Sequence, residues 1–498
     1  MSGRKQKFLA FDLGAESGRG VLGLLGGGTL ELQEIHRFAN GPIQVFDSLH
    51  WDVLRMLEEI KHILEVCVRE HGPELDGIGV DTWGVDFALV GRDDTLLGYP
   101  YHYRDKRTDG MIEEAFRRMS REEIFQLTGI QFMKLNTLYQ LLAMSLANSP
   151  LLEVAETLLM MPDLFNFLLT GKKVCEFTIA TTSQFYDPRE GNWSKPLFDK
   201  LGLPYHILPE IVPAGTEIGP LLPTIRDEVG LDEVPVIAPA CHDTGSAVAA
   251  VPAKGQDWVY ISSGTWSLMG VEIPEPIITD RTLEYNFTNE GGVCNTIRLL
   301  KNIMGLWLIQ DCRRTWEDAG ESLSYDDLEE MAAEVQPFIS IIEPNYEPFL
   351  SLGDMPARIR EFCKEIGQPI PETKGAVMRC VLESLALKYR WGLEKLEEIL
   401  GRHLDVIHII GGGCQNKLLC QLTADATGRQ VVAGPVEATA IGNIMMQALS
   451  RGYVGSIDEA RELIRRSFDV ITYEPQATSG WDDAYSRYLE VMEKTVGL

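Results

Sequence analysis

The sequence has few of the features that mark secreted, membrane-inserted or disulfide-stabilised proteins. Its nine cysteines among 498 residues form no C-x-x-C pair and have no histidine at zinc-finger spacing, which favours reduced thiols over a disulfide framework or a zinc finger. No run of about eighteen apolar residues occurs, and the apolar stretch at residues 8–11 is too short for a secretory signal. We therefore expect a cytoplasmic protein without a membrane partner.

Positive charge is also scarce. Lys and Arg number 45 against 73 Asp and Glu, which gives a net charge of −28. This balance argues against a broad electrostatic surface for nucleic acid or anionic lipid, so a phosphate-bearing ligand must be held by local donors and a metal ion. Hydrophobic residues at 45% and charged residues at 24% are typical of a folded globular protein. At roughly 150 residues per domain, the length predicts two or three domains.

Two common nucleotide-binding motifs are missing. No Gly-x4-Gly-Lys-Ser/Thr sequence occurs, which disfavours a P-loop fold. The glycines at 411–413 do not continue into G-x-G-x-x-G, because the sixth residue of that run is Asn416. A dinucleotide-dependent hydride transfer is therefore disfavoured as well.

A repeated pattern is present in the two halves of the chain. Apolar residues 8–11 lead into a small-residue turn at 12–19, and apolar residues 258–261 lead into a similar turn at 262–267. Each turn is followed by a second apolar run, at 21–25 and at 268–271, so each half is predicted to open with a β-hairpin. The Pro- and Gly-containing segment at 249–257 predicts a boundary between a domain at 1–250 and a domain at 251–498.

Buried strands and amphipathic helices alternate along the rest of the chain. Apolar strands are predicted at 78–80, 236–238 and 406–410, each followed by a polar or Gly-rich segment. A long helix is predicted at 374–400, with Gly401 as its cap. This alternation indicates an α/β fold, in which ligands bind at the carboxyl ends of the strands. Cys363 and Cys380 could pair only if the fold brings them together.

Several residues at these strand ends suit phosphate and proton chemistry. The two hairpin turns offer glycines, main-chain N–H groups and the hydroxyls of Ser17, Ser263 and Thr265, which suit phosphate oxygens. Asp12 ends its strand and suits magnesium, although an Asp before Gly is also a common turn. Asp243 follows a buried strand and suits a general base, although a helix cap is an equally good interpretation.

A sugar-binding site is suggested by two clusters that mix aromatic rings with charged groups. One cluster lies at residues 81–86 and contains Trp83 and Asp86; the other lies at 103–105 and contains Arg104. Aromatic rings stack on the C–H faces of sugars, and carboxylates accept their hydroxyls. An ordinary strand end with satisfied polar groups is the alternative interpretation.

Taken in order, these motifs resemble the FGGY family of carbohydrate kinases. The similarity is carried by FDLGAESGR at 11–19, VDTWGVDF at 80–87, HDTGSAV at 242–248, YISSGTWSLMG at 260–270 and IIGGGCQN at 409–416. The resemblance covers nearly the whole chain. It implies two actin-like, ribonuclease H-like domains around a central cleft that holds ATP, Mg²⁺ and a ketose.

The resemblance also implies an activity. It implies transfer of the γ-phosphoryl group of ATP to O1 of L-rhamnulose, with L-fuculose or L-xylulose as alternative acceptors. A more distant alternative is an actin-fold nucleotide-dependent sensor without sugar chemistry. The expected partners are small molecules only, with no nucleic acid and no membrane, and the protein is expected to be a monomer or a small homo-oligomer.

The resemblance assigns site residues by motif. Asp243 is expected to be the general base and Asp12 the residue near magnesium. Sugar contacts are expected from Gly84, His242, Asp243 and Thr244, to which we add Trp83, Asp86, Arg104 and Asn136. Because Glu16 would repel a triphosphate, its side chain is expected to point away while its backbone contributes. The nucleotide contacts are expected to be Ala15, Glu16, Ser17, Gly18, Arg19, Thr265, Asn302, Gln310 and Gly412.

Overall fold

The structure is a computed structural model that describes residues 4–351, 353–476 and 479–495. Contacts between residues divide the chain into two compact units. The first unit consists of Met1–Pro252, Glu272–Leu299 and Ala438–Phe468, and the second of Ala253–Val271, Leu300–Glu437 and Asp469–Leu498. The predicted division into 1–250 and 251–498 stays a prediction, since each compact unit draws on several segments of the chain.

Strands and helices alternate throughout the described residues. The strands are β1 Gln6–Leu13, β2 Ser17–Gly26, β3 Thr29–Ala39, β4 Ile43–Val45, β5 Ser48–His50, β6 Gly77–Thr82, β7 Phe87–Gly91, β8 Ala155–Met160, β9 Val174–Glu176, β10 Tyr186–Asp187, β11 Asn192–Trp193, β12 Glu210–Val212, β13 Thr216–Pro220, β14 Pro235–Ala238, β15 Trp258–Ser263, β16 Trp266–Ile273, β17 Thr288–Gly291, β18 Ile297–Met304, β19 Val406–Ile410, β20 Gln430–Ala433 and β21 Ile471–Tyr473.

The helices connect and cover these strands. They are α1 Val53–His71, α2 Met111–Phe116, α3 Arg121–Thr128, α4 Thr137–Leu146, α5 Pro150–Val154, α6 Met161–Thr170, α7 Phe177–Thr182, α8 Lys195–Leu201, α9 Pro223–Val229, α10 Asp243–Ala249, α11 Asp280–Glu284, α12 Trp307–Asp318, α13 Tyr325–Ala333, α14 Met355–Glu365, α15 Lys374–Leu400, α16 Lys417–Thr427, α17 Ala438–Ser450, α18 Ile457–Ser467 and α19 Trp481–Thr495. Within the described ranges, no helix is both long and apolar enough to cross a membrane.

The sheet of the first unit has the strand order β13-β14-β6-β1-β2-β3. β1 and β2 form the predicted hairpin, while β1 pairs in parallel with β6 and β6 pairs in parallel with β14. All six residues of β6 are buried, as expected of a strand with both faces covered. The register places Asp12 opposite Asp81, so two carboxylates lie near the carboxyl ends of neighbouring parallel strands.

The sheet of the second unit repeats this arrangement. From β18 onward its order is β18-β16-β15-β19-β20-β21, in which β15 and β16 form an antiparallel hairpin and β19 lies parallel to β15. The order β18-β16-β15-β19-β20 corresponds to β3-β2-β1-β6-β14 in the first sheet. The predicted hairpin repeat and the α/β class are therefore confirmed.

The long helix of the second unit, α15, has the predicted bounds of 374–400. The Thr373 side chain accepts from the main-chain N–H of Ala376, and Gly401 ends the helix with a φ of 65°. Glycine adopts this left-handed conformation without a steric penalty, which explains the stop. Cys363 and Cys380, on α14 and α15, lie against each other as free thiols.

The first unit also contains a very close helix crossing. α17 packs against α10, β1 and β6. A Cβ atom at Gly442 in α17 would lie 1.7 Å from the main-chain oxygen of Ser246 in α10. Only a residue without a side chain fits here, because backbone cannot retreat as a flexible side chain can.

We therefore predict that Gly442→Ala lowers the free energy of unfolding by about 2–3 kcal/mol, because the added methyl group forces α10 and α17 apart. Urea denaturation followed by circular dichroism measures this change. Gly41→Ala is the matched control, since a Cβ atom at Gly41 meets nothing within 4 Å. Equal unfolding midpoints for the two variants would contradict the close crossing.

Candidate active site

The loop between β14 and α10 is held in place by buried hydrogen bonds. Its Cys241 N–H donates to Glu176 Oε2 over 3.0 Å, and its His242 N–H donates to Thr178 Oγ1 over 3.1 Å. Desolvation raises the pKa of the fully buried Glu176 to about 7, although hydrogen bonds from Thr178 oppose this shift. Cys241 also accepts from the N–H of Thr82, the last residue of β6. The loop thus lies at the carboxyl ends of the parallel strands, where α/β sheets bind ligands.

Asp243 is the first residue of α10, and His242 occupies the capping position before it. The helix-cap interpretation of Asp243 is therefore wrong. Asp243 Oδ1 accepts from the Thr244 N–H over 2.5 Å and from the Thr244 hydroxyl over 3.2 Å, and it lies 3.3 Å from His242 Nε2. The side chain is 32% exposed. Among the described residues no hydrogen bond reaches Oδ2, which leaves that oxygen for a ligand.

The surroundings of Asp243 increase its affinity for a proton. Desolvation raises the pKa of its carboxyl, His242 opposes the shift, and the negative charge of Asp12 raises the pKa further. A general base is most effective when its pKa lies near the working pH. The direction of the shift therefore suits proton acceptance.

Asp12 and Asp81 are the penultimate residues of the neighbouring strands β1 and β6 in the same unit. Arg19 donates to Asp12 Oδ2 through Nε at 3.0 Å and Nη2 at 2.8 Å. Asp81 is fully buried; its Oδ2 accepts from Asn443 Nδ2 over 2.6 Å, and its Oδ1 has no partner among the described residues. Desolvation, aided by the charges of Asp12 and Asp243, raises the pKa of Asp81 well above its usual value.

These carboxylates match what magnesium requires. Within the described ranges, no three His, Cys, Asp or Glu side chains are arranged to hold a metal ion by themselves. Magnesium usually takes one or two carboxylates and fills its remaining positions with water and substrate phosphates. The oxygen donors at Asp12, with the unpartnered Oδ1 of Asp81 on the adjacent strand, fit such a site.

The turn between β1 and β2 is tight and braced. The Gly14 N–H donates to Ser17 O over 2.9 Å, and Asn40 binds both Glu16 O and Gly14 O. The Glu16 side chain is exposed, and its orientation away from a triphosphate stays a prediction. Ala15 and Ser17 are half-buried at the same turn, whose phosphate contacts stay a prediction.

Two further residues of this turn have structural partners. A Cβ atom at Gly18 would lie 2.3 Å from the ring of Phe38, so packing explains this glycine. The guanidinium of Arg19 is bound to Asp12 and lies 3.6 Å from Glu34. Their predicted phosphate contacts are untested.

Asp86 is the centre of a buried cluster of aromatic and polar groups. Its Oδ2 accepts from Trp51 Nε1 at 2.6 Å, from Trp83 Nε1 at 3.0 Å and from the Tyr103 N–H at 3.1 Å. Its Oδ1 accepts from Gln140 Nε2 at 2.8 Å. Desolvation raises the pKa of Asp86 to about 6, against the effect of these donors. Asp86 and Trp83 therefore take part in a buried hydrogen-bond network. Their direct contact with a sugar stays a prediction.

Of the other predicted sugar residues, the structure brings Gly84 to His242. A Cβ atom at Gly84 would lie 3.3 Å from His242 Nε2, so the missing side chain leaves that edge of the imidazole open. Arg104 lies 5.5 Å above the ring of Tyr103. Asn136 donates to Gln131 O and Gln184 Oε1, so it braces the start of α4. Both of these bonds come from Asn136 Nδ2, and neither goes to Asp243.

Arg298 and Glu290 were not predicted from the sequence. Arg298 is fully buried in the mainly apolar strand β18, and its Nη2 lies 3.1 Å from His242 Nδ1 and 3.3 Å from Glu290 Oε2. Glu290 Oε2 is 3.4 Å from the same nitrogen of His242. An arginine in a mainly apolar segment can be recognised in the sequence, but its histidine partner lies 56 residues away, so no local pattern joins the two.

The second unit places its two predicted nucleotide motifs side by side. Gly411 and Gly413 pack on Ser263, and a Cβ atom at Gly413 would lie 2.0 Å from Ser263 Oγ. A Cβ atom at Gly412 meets nothing within 4 Å, so packing does not require that glycine. Thr265 is half-buried, and its main-chain oxygen accepts from Trp307 at the start of α12.

Asn302 and Gln310 lie on β18 and α12 of the same unit. The main-chain oxygen of Asn302 accepts from Asn345 Nδ2 over 3.3 Å. The side-chain oxygen of Gln310 is buried and has no partner among the described residues. A buried amide oxygen without a donor costs stability, so a ligand donor there is favourable.

Comparison with known families and proteins identifies the family of this chain. Models of the N-terminal and C-terminal domains of the FGGY family of carbohydrate kinases match residues 8–250 and 259–451. The chain belongs to the FGGY family of carbohydrate kinases. It is 47% identical over 484 residues to the rhamnulokinase of Bacteroides thetaiotaomicron, a match covering 97% of this chain and 99% of that protein. It is 44% identical over 472 residues to the rhamnulokinase of Oceanobacillus iheyensis, covering 95% and 99%.

Solved structures of FGGY kinases share the fold. The ligand-bound xylulose kinase from Lactobacillus acidophilus superposes with a TM-score of 0.82 and 17% identity, covering 99% of this chain and 98% of that one. At this identity the similarity concerns the fold alone. It confirms that this FGGY kinase has the expected two-domain, actin-like α/β architecture.

We predict that Asp86→Asn lowers the free energy of unfolding of this FGGY kinase by about 2–3 kcal/mol, because an amide NH₂ would face groups that are themselves donors. Guanidinium denaturation followed by tryptophan fluorescence is suitable, since Trp51 and Trp83 both touch Asp86. The control is Asp93→Asn, which changes an exposed carboxylate of the same unit. If both variants unfolded alike, the buried cluster would not depend on its carboxylate.

Proposed function

We propose that this FGGY kinase transfers the γ-phosphoryl group of ATP to O1 of L-rhamnulose, giving L-rhamnulose 1-phosphate and ADP. The observation that carries the reaction type is the geometry of Asp243, whose Oδ1 is engaged while Oδ2 is left for a ligand. The choice of sugar is supported by 47% and 44% identity, over nearly the full length, to proteins named rhamnulokinase.

The proton transfer follows from the two oxygens of Asp243. Thr244 holds Oδ1 through its N–H and its hydroxyl, which orients the carboxylate. Oδ2 then takes the proton from the O1 hydroxyl as O1 bonds to the γ-phosphorus and the bond from that phosphorus to the bridging oxygen breaks, which releases ADP. Because phosphoryl transfer passes through a loose transition state, orientation and charge stabilisation contribute more than covalent chemistry does.

Sugar binding is assigned to the residues around the start of α10. Gly84 has no side chain beside the imidazole of His242, which leaves room there for a hydroxyl of the ketose. Thr244 lies next to the base and donates to its Oδ1 through both its N–H and its hydroxyl. Behind them, Trp83 and Trp51 lie 3.9 Å apart, between ring centroids, and share Asp86 as acceptor. This rigid cluster keeps the loop carrying Gly84 in position.

Nucleotide binding is assigned to both glycine-bearing turns. In the first unit Ala15, Glu16, Ser17, Gly18 and Arg19 contribute mainly through backbone N–H groups and the Arg19 guanidinium. In the second unit Thr265, Asn302, Gln310 and Gly412 contribute, and Gly412 is the position that packing leaves open. Asp12 would hold Mg²⁺, which when bound neutralises charge on the phosphates.

The acceptor is tested with a panel of ketoses. We expect L-rhamnulose to give the highest kcat/KM in a coupled ADP-release assay, with NMR placing the phosphate on O1. Asp243→Asn enzyme serves as the blank for background ATP hydrolysis. A preference of about tenfold or more for L-fuculose or L-xylulose would replace the proposed sugar. ATP binding that no ketose alters would favour a nucleotide-dependent sensor.

We expect Asp243→Asn to lower kcat by about 10²–10⁴-fold, because the amide cannot accept the proton. In the wild-type enzyme the raised pKa of Asp243 makes kcat/KM fall on the acid side at a pH above the usual titration of Asp, since the protonated carboxyl is inactive. The variant should lose this acid limb while retaining its melting temperature and ATP affinity. Near-normal kcat would remove Asp243 from the role of base.

A further inference from the structure

Arg298 is a buried cation that the proposed reaction does not yet explain. Its side chain is fully buried, its Nε donates to Gly291 O over 2.7 Å, and its Nη1 has no partner among the described residues. Burying a guanidinium is costly unless its charge and hydrogen bonds are matched. Glu290 supplies the opposite charge at 3.3 Å, and the remaining close polar contact is with His242.

A hydrogen bond from Arg298 to His242 requires one particular tautomer of the imidazole. A guanidinium carries five N–H donors and no acceptor, and it stays protonated in proteins. His242 Nδ1, 3.1 Å from Arg298 Nη2, must therefore offer its lone pair. A neutral imidazole with a lone pair on Nδ1 carries its proton on Nε2. The opposite tautomer would point an N–H at the arginine.

The proton on Nε2 bears directly on the base. Nε2 lies 3.3 Å from Asp243 Oδ1, which already accepts two bonds from Thr244. A donor from His242 would add a third interaction at Oδ1 and would make it the less basic oxygen. The charged groups facing His242 are Asp243, Glu290 and Arg298.

We infer that Arg298 is a positioning residue for this kinase: it holds His242 as a neutral imidazole protonated on Nε2, so that Asp243 takes the sugar proton on Oδ2. Glu290 compensates the charge of Arg298. Only the identity of the proton donor rests on the proposed function, since the histidine tautomer exists in the protein without substrate.

The tautomer is measured by two-bond ¹H–¹⁵N NMR on the full-length enzyme labelled with ¹⁵N-histidine, using His242→Gln to assign the signals. At about pH 7.5 we expect His242 to show an unprotonated Nδ1 and a protonated Nε2. A protonated Nδ1, in either the other tautomer or the imidazolium ion, would overturn the inference. This measurement needs no variant of Arg298 to fold and no ketose to be accepted.

The function of Arg298 is tested by Arg298→Met, with Arg298→Lys as the conservative variant. We expect Arg298→Met to lower kcat by about 10–100-fold with little change in KM for ATP, and to leave a mixture of His242 protonation states in the NMR spectrum. Arg298→Lys, which keeps a donor and a charge, should recover part of both. An unchanged His242 spectrum in Arg298→Met would overturn the inference.

Two controls separate folding and sugar specificity from positioning. Arg92→Met removes an exposed arginine from the same unit and should change neither kcat nor the His242 signals. If Arg298→Met does not fold, the double variant Arg298→Met with Glu290→Gln removes both buried charges. We expect the same mixture of His242 protonation states in its NMR spectrum. If no ketose is phosphorylated, the proposed function fails, whereas the wild-type tautomer still decides the inference.

Discussion

The parallel pairing of β1, β6 and β14 is the constraint on which the candidate site depends. Parallel strands share a direction, so their carboxyl ends lie at one edge of the sheet. Asp12 and Asp81 lie one residue before the ends of β1 and β6, and the loop after β14 brings Asp243 to the same edge. Strand pairing, together with the side chains of Glu176 and Thr178 that hold the loop before α10, thus brings together residues more than 200 positions apart in sequence.

Bringing these three carboxyl groups close together has an electrostatic cost. Carboxylates placed close together and partly desolvated resist ionisation, which is why the pKa values of Asp81 and Asp243 are both raised. The fold offsets the cost with specific donors rather than with a general positive surface. Asn443 binds Asp81, Arg19 binds Asp12, and Thr244 binds Asp243. A chain with a net charge of −28 can thereby hold a site for a triphosphate.

Local patterns predicted much of the fold. Apolar periodicity and capping act over short distances, so they can be recognised in the sequence. They predicted the hairpins, the strands at 78–80, 236–238 and 406–410, and the helix at 374–400 with Gly401 at its end. Asp86 shows the limit of such patterns. Its position beside Trp83 suggested a sugar contact, yet the folded chain surrounds it with donors from Trp51, Tyr103 and Gln140. Those donors come from three other segments, which no local pattern joins to it.

The sequence alone determined the α/β class, the repeated hairpins, the motifs at the strand ends and the family to which they belong. Only the tertiary structure decided that Asp243 begins a helix rather than capping it, that the hydrogen bonds to Asp243 from the described residues reach Oδ1 and not Oδ2, and that a buried arginine from β18 faces His242. The reason is that periodicity and turn chemistry are local properties of the chain. Hydrogen-bond partners and desolvation, in contrast, depend on residues that meet only after folding.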